Sequence, residues 1–338
     1  MRRASFAAGV LAALAPRPAQ AKRLATPPPI VTTLPAFTFR GGLYLNLHHR
    51  LYREAAVRAA APHGETVISG VESFGDADRT AWFHAIHVYE LAAYARDLAS
   101  PALLRITAAL AAVDEGKPLA SAPIPVDLKR ALVEAASPYR KHLWRDDDAK
   151  NRAWSNNALG LVRAFGDPIA RRLANVFRTP WPSGPYRVEI VRYVEPLGSY
   201  ASASPSMTVV ASGTPLNAGR TALEVIFDGA ARALVSSDRG TIGSGILAES
   251  ARERKAPPQD LWRAMLFFTV ARVVYDAFHA DLEAPYRPFI QTAEMFPRLW
   301  PAYQKPIASR WQPYIDGTGD LPSALRSTVA DVLAATHR

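Results

Sequence analysis

Two carboxylates and an arginine set one helical turn apart, eight histidines and a complete lack of cysteine bound the chemistry open to this chain. In Thr221–Val235, TALEVIFDGAARALV, the apolar residues Leu223, Ile226, Phe227, Ala230, Ala231 and Leu234 recur at helical spacing. Glu224, Asp228 and Arg232 are spaced by four, so they share a second stripe of that helix. Such carboxylates can carry protons, hold a cation or pair with the arginine, but Asp228 alone makes no tight metal site. His48 and His49 are adjacent in a helical pattern, about 100° apart around its axis, so one metal does not easily take both. Of the two, His49 has the stronger case as a cleft residue, with helix packing the simpler reading. His84 and His87 stand three apart near Asp78 and Glu90, a pair that needs a third ligand from elsewhere. Gly243-Ser244-Gly245 lies outside any G-x-S-x-G elbow and reads as a flexible loop. No phosphate-binding glycine motif is present. Asp146-Asp147-Asp148 lacks the alternate spacing of a calcium loop and reads as a solvated patch facing Arg145, Lys150 or Arg152.

Zinc peptidases place His-Glu-x-x-His on a helix of this kind, with two histidines on the metal and the glutamate as general base. Here those five positions are Asp228, Gly229, Ala230, Ala231 and Arg232. The stretch is similar to a helix reading roughly LEMVFHEASHAL in an uncharacterised family of secreted bacterial proteins with a zincin-like, gluzincin-type core. Asp260–Val274, DLWRAMLFFTVARVV, resembles that family's DLWHAVLFYTAGEAV, and similarity extends to Leu43–Ala55, Tyr139–Trp154, Thr179–Val191 and Ser309–Gly317. The resemblance implies that the ligand and base positions are replaced: Asp228, Gly229 and Arg232 on the first helix, Arg272 where a third ligand would stand, and Arg263 in place of a histidine. Arginine has five donors and no acceptor, so it cannot ligate Zn²⁺. It follows from the resemblance that no metal, cofactor or catalytic residue is expected. Asp228, Gly229, Arg232 and Arg272 would be vestigial positions, and His49, Glu224 and Arg263 cleft residues. Arg272 is then expected to approach Asp228 from the facing helix. Gly229→Glu is expected to favour the helix, since mid-helix glycine costs about 1 kcal/mol relative to alanine.

The elements that must position these residues can be read along the chain. Met1-Arg2-Arg3, the apolar run Phe6–Ala15 and Ala19-Gln20-Ala21 form a signal-peptide pattern over residues 1–21, which points to export to the periplasm or beyond. Residues 22–40 are Pro-rich and extended, with at most one short strand. Residues 41–178 read as helices: Leu43–Ala61, Asp76–Ala99, Pro101–Asp114, Pro125–Ser137, Tyr139–Phe165 and Pro168–Phe177. Residues 179–338 begin with a turn-rich connector and the strands Tyr186–Tyr193, Ser199–Ala203 and Met207–Ser212. The Thr221–Ser237 helix and a helical C-terminal part follow, the longest element being Asp260–Ala280.

The sum is an α+β chain, mainly α-helical, with a small sheet before the pseudo-active helix, in a zincin-like arrangement forming one compact unit. Its 338 residues are 49% hydrophobic, which excludes wholesale disorder. Net charge is +10, and loss of Arg2, Arg3 and Arg17 with the signal segment leaves +7. The basic residues are scattered and form no recognition tract, so nucleic acid is not the expected partner. A transmembrane segment is not expected either. The function favoured is a catalytically inactive pseudo-peptidase whose cleft takes a peptide or protein ligand. The alternatives are an active hydrolase with a non-standard site and an envelope scaffold. The oligomeric state is not legible.

Overall fold

The computed structural model describes residues 27–60, 70–93, 97–194, 198–235, 240–279 and 286–336. The expected signal segment lies outside them. Five strands form one mixed sheet: β1 (Ile30–Thr33), β2 (Phe37–Gly41), β3 (Tyr186–Val191), β4 (Ser199–Ala203) and β5 (Ser206–Ala211), in the order β1-β2-β3-β5-β4. β2, β3 and β5 run parallel, and each edge strand is antiparallel to its neighbour. The Pro-rich N-terminal segment thus supplies two strands, where at most one is expected from sequence. Its alternation places Phe37 and Phe39, both fully buried, on one face.

The sheet is covered on both faces. Val191, Val209, Ala211 and Tyr200 pack into a core with α1 (Leu43–Ala60), α2 (Asp76–Ala92), α3 (Pro101–Asp114) and α4 (Val126–Pro138). Phe37, Phe39, Val188, Ile190 and Val210 face the opposite core. That core is built from α5 (Trp144–Phe177), α6 (Thr221–Val235), α7 (Thr241–Arg252), α8 (Leu261–His279) and the C-terminal helices. These last are the short α9 (Phe289–Thr292), α10 (Met295–Leu299), α11 (Gln304–Pro306) and α12 (Gln312–Ile315), then α13 (Leu321–Thr336). A mainly helical chain around a small mixed sheet is therefore the architecture. Among the described residues, no helix is long and apolar enough to cross a membrane.

Two local expectations need correction. Pro168 does not divide the long helix: α5 runs 34 residues through it. The lost backbone bond is outweighed locally because Gly166, Ile169, Ala170 and Leu173 are all buried around the proline. Gly243-Ser244-Gly245 is not a flexible loop but the first half of α7. Gly245 permits close packing: a Cβ there would come within 2.6 Å of Leu325 Cδ1, on α13. Sequence punctuation by glycine and proline is overridden in both places by tertiary contact.

Candidate functional site

α6 is amphipathic in an unusual way, because both of its faces are covered. Leu223, Ile226, Phe227, Ala230, Ala231 and Leu234 go into the core, where the Phe227 ring meets Phe37 edge-on at 5.2 Å. The opposite stripe, Glu224, Asp228 and Arg232, lines a cavity of about 270 Å³ together with Gly229. The second wall comes from α8. Arg263, Phe267 and Val270 recur at i, i+4 and i+7 and face the same space. Edge strand β4 contributes Ser199, Tyr200 and Ala201, and Phe289, Met295, Leu299 and Trp300 close the apolar end.

The backbone of α6 lies directly against β5. A Cβ on Gly229 would fall 1.6 Å from Thr208 Oγ1 and 2.9 Å from Thr208 Cβ. That hydroxyl is already engaged with Tyr186 Oη at 3.0 Å. Glycine at 229 is therefore required by the approach of helix to strand. The expected gain from Gly229→Glu is overturned, since helix propensity of about 1 kcal/mol cannot offset a side chain that has no room.

The electrostatics of the cavity are loosely closed. Arg232 Nη2 approaches Asp228 Oδ2 at 3.5 Å, and Arg263 Nη1 approaches Asp260 Oδ1 at 3.7 Å. Asp228 Oδ1, Arg232 Nε and Arg263 Nε are buried without a hydrogen-bond partner. Burial pushes the Asp228 carboxyl above its ordinary range, opposed by Arg232 and Arg263. Glu224 behaves differently. Its Oε1 accepts from Tyr286 Oη and, at 2.8 Å, from the Phe289 backbone N–H. Burial nevertheless raises its carboxyl to about 7. Glu224 thus ties α6 to the segment leading into α9 and holds a proton near neutrality.

Of the residues singled out from sequence, Asp228, Gly229, Arg232, Glu224 and Arg263 come together around this cavity. Arg272 does not. Nine residues along α8 from Arg263 amount to about 180° of rotation, which puts Arg272 on the opposite face. There it meets Asp316 at 3.1 Å and Asp276 at 3.3 Å. The position facing Asp228 from α8 is Arg263, whose charge acts on the Asp228 carboxyl. His49 also lies off the cavity, 1% exposed, with Nε2 3.2 Å from the hydroxyl of Tyr200. His48 packs beside it, Nδ1 2.9 Å from Tyr89 Oη, and burial holds its imidazole down at about 4. His84 and His87 turn to separate carboxylates, Glu134 at 2.6 Å and Glu90 at 3.1 Å, while Asp78 engages Lys141 and His142. Asp147 and Asp148 are not a solvated patch: both are buried, on Tyr139 and Arg152 respectively. Among the described residues, no three His, Cys, Asp or Glu side chains are grouped to hold a metal ion.

Sequence reasoning missed Asp260 and the apolar wall of Phe267, Val270, Phe289, Met295 and Trp300. The signal for Phe267 and Val270 was present, since they form a one-sided stripe with Arg263. Comparison with protein-family models, curated proteins and solved structures gives no significant match.

Proposed function

We propose that this chain is an exported, zincin-like, metallopeptidase-related protein that has kept the cleft of a peptidase and lost its chemistry. Its function is to bind a peptide or protein ligand without cleaving it. The observation that carries this reading is the cavity between α6 and α8, where Asp228, Arg232 and Arg263 occupy the positions at which the resembling family carries histidines. A permanently protonated guanidinium supplies neither a zinc ligand nor a base. Arg272, where the resemblance puts the third ligand, lies on the far face of α8 with Asp276 and Asp316, which counts against that part of the frame. Gly229, at the place of the general base, is closed to any larger side chain by Thr208. Edge strand β4 beside the cavity offers an extended peptide a strand to pair with, one of the recurring ways a protein takes main chain.

The test exposes purified mature protein to a mixed peptide library, with and without a chelator, and reads both retained and cleaved peptides by mass spectrometry. Retention of intact peptides, unaffected by chelation, is the expected result. Cleavage that the chelator abolishes overturns the pseudo-peptidase reading in favour of an active enzyme.

A further inference from the structure

We infer that the α6–α8 cavity takes a single carboxylate borne on an apolar group, with Arg232 and Arg263 holding the charge and the Phe267–Trp300 wall holding the apolar part. This rests on the binding-cleft reading above and names the chemistry of its ligand. Charge-assisted contacts between guanidinium and carboxylate settle at about 2.7–2.9 Å. Four pairs elsewhere in this protein reach that distance, Arg50–Glu54, Arg152–Asp148, Arg172–Asp276 and Arg252–Glu249 at 2.7 Å, while Arg50–Asp147 and Arg192–Asp147 stay at 3.8 Å. At the cavity the two arginines reach their carboxylates only at 3.5 and 3.7 Å. Each has five N–H donors, so the pair has donors to spare among the described residues. They stand on two facing helices and line the same cavity.

The other groups narrow the ligand. Asp97, Asp228 and Asp260 also line the cavity, and their repulsion acts about twice as strongly on a doubly charged phosphate as on a monoanion. Glu224 is tied to Tyr286 and the Phe289 N–H, so it does not compete for the arginines. Val225, Phe267, Val270, Phe289, Met295 and Trp300 supply an apolar lining. A volume of about 270 Å³ holds one large side chain with its carboxylate. Two sources present such a group: the last residue of a peptide with an apolar C-terminus, and a free fatty acid. The neighbouring edge strand β4 favours the peptide.

The experiment is calorimetric titration of the mature chain with three probes: an N-acetylated tripeptide acid ending in phenylalanine, its C-terminal amide, and decanoate. The acid is expected to bind about 10- to 100-fold more tightly than the amide, the range for a hydrogen-bonded charge. Arg263→Gln is expected to erase that difference, whereas Arg272→Gln, on the far face of α8, preserves it. Equal affinity for acid and amide overturns the carboxylate inference and leaves the peptide-binding reading standing. Binding of decanoate with neither peptide supports the inference and removes the peptide as source. Failure of all three probes to bind overturns both.

Discussion

Two clusters of charge, one on each side of the sheet, are assembled from the same residue types and closed to different degrees. On the α1–α4 side, Arg50 donates to Glu54 at 2.7 Å and to Tyr193 at 3.1 Å, while Tyr139 donates to Asp147 at 2.9 Å. Asn46 continues that network by accepting from Asn151 at 2.9 Å and from the Arg192 N–H at 2.8 Å, and Ser212 donates to Asn151 at 2.6 Å. On the α6–α8 side, Asp228, Arg232 and Arg263 keep long contacts and unpartnered polar atoms beside a cavity. A buried ion network helps a fold only when its geometry is saturated. The first cluster comes nearer to that condition, although Arg192 Nε is unpartnered and Asp147 stands 3.8 Å from both Arg50 and Arg192, and it has a structural role. The second falls further short, and buried groups left short of partners are what a ligand can satisfy.

The sharpest way to break the comparison is to remove the central arginine of the first cluster. Arg50→Met removes the near cation of Glu54, leaving it Arg53 at 3.5 Å and Asp147 the Tyr139 hydroxyl at 2.9 Å, and a loss of about 3 kcal/mol in urea unfolding is expected. Next is Gly229→Ala, where a methyl must displace Thr208. Overpacking of this kind costs about 1–3 kcal/mol, read from the unfolding midpoint at constant slope.

The pH dependence separates the two sides further. His48 ionises at 6.5 when unfolded and at about 4 when folded, so the native state binds fewer protons between those values. Its contribution is present above pH 6.5 and is lost as pH falls toward 4. Glu224 has the opposite sign. With a folded value of about 7 against 4.5, the native state holds the extra proton, and stability falls as pH rises from 4.5 through 7. Asp114, which caps the start of α1 through the Tyr44 and Leu45 N–H groups, acts in the same direction as Glu224. His48→Gln is expected to flatten the acid limb of a stability–pH curve, and Glu224→Gln to flatten the neutral limb. The smallest effect is expected from Arg272→Ala. Its pairs with Asp276 and Asp316 are partly exposed, so the change should cost less than about 1 kcal/mol and leave ligand affinity unaltered.

How much of this was legible in sequence depends on the range over which each feature is decided. The apolar stripe of α6 and its Glu224–Asp228–Arg232 line follow from spacing alone, and α3 begins and ends where Pro101 and Asp114 suggest. β1 and β2 were obscured by proline-rich composition, because β2 is held by pairing with β3, more than a hundred residues away, and β1 in turn by pairing with β2. Arg272 was misplaced for a different reason. Its position relative to Asp228 depends on the rotation of α8 against α6, which the spacing within one helix does not set. The stripe Arg263–Phe267–Val270 carried that information, but only once a cavity is known to face it. Gly229 reads from propensity as a weakness and from the packed structure as a requirement.

The central distinction, a structural cluster against one proposed to bind a ligand, is tested most directly by a paired measurement on Arg263→Gln. Unfolding free energy in urea and affinity for the N-acetylated tripeptide acid are determined on the same preparation. The expected result is stability within about 0.5 kcal/mol of the parent protein, as for a side chain outside any saturated network, with affinity lowered about 10-fold or more. A marked loss of stability with unchanged affinity would contradict it, and would place Arg263 in the same structural class as Arg50.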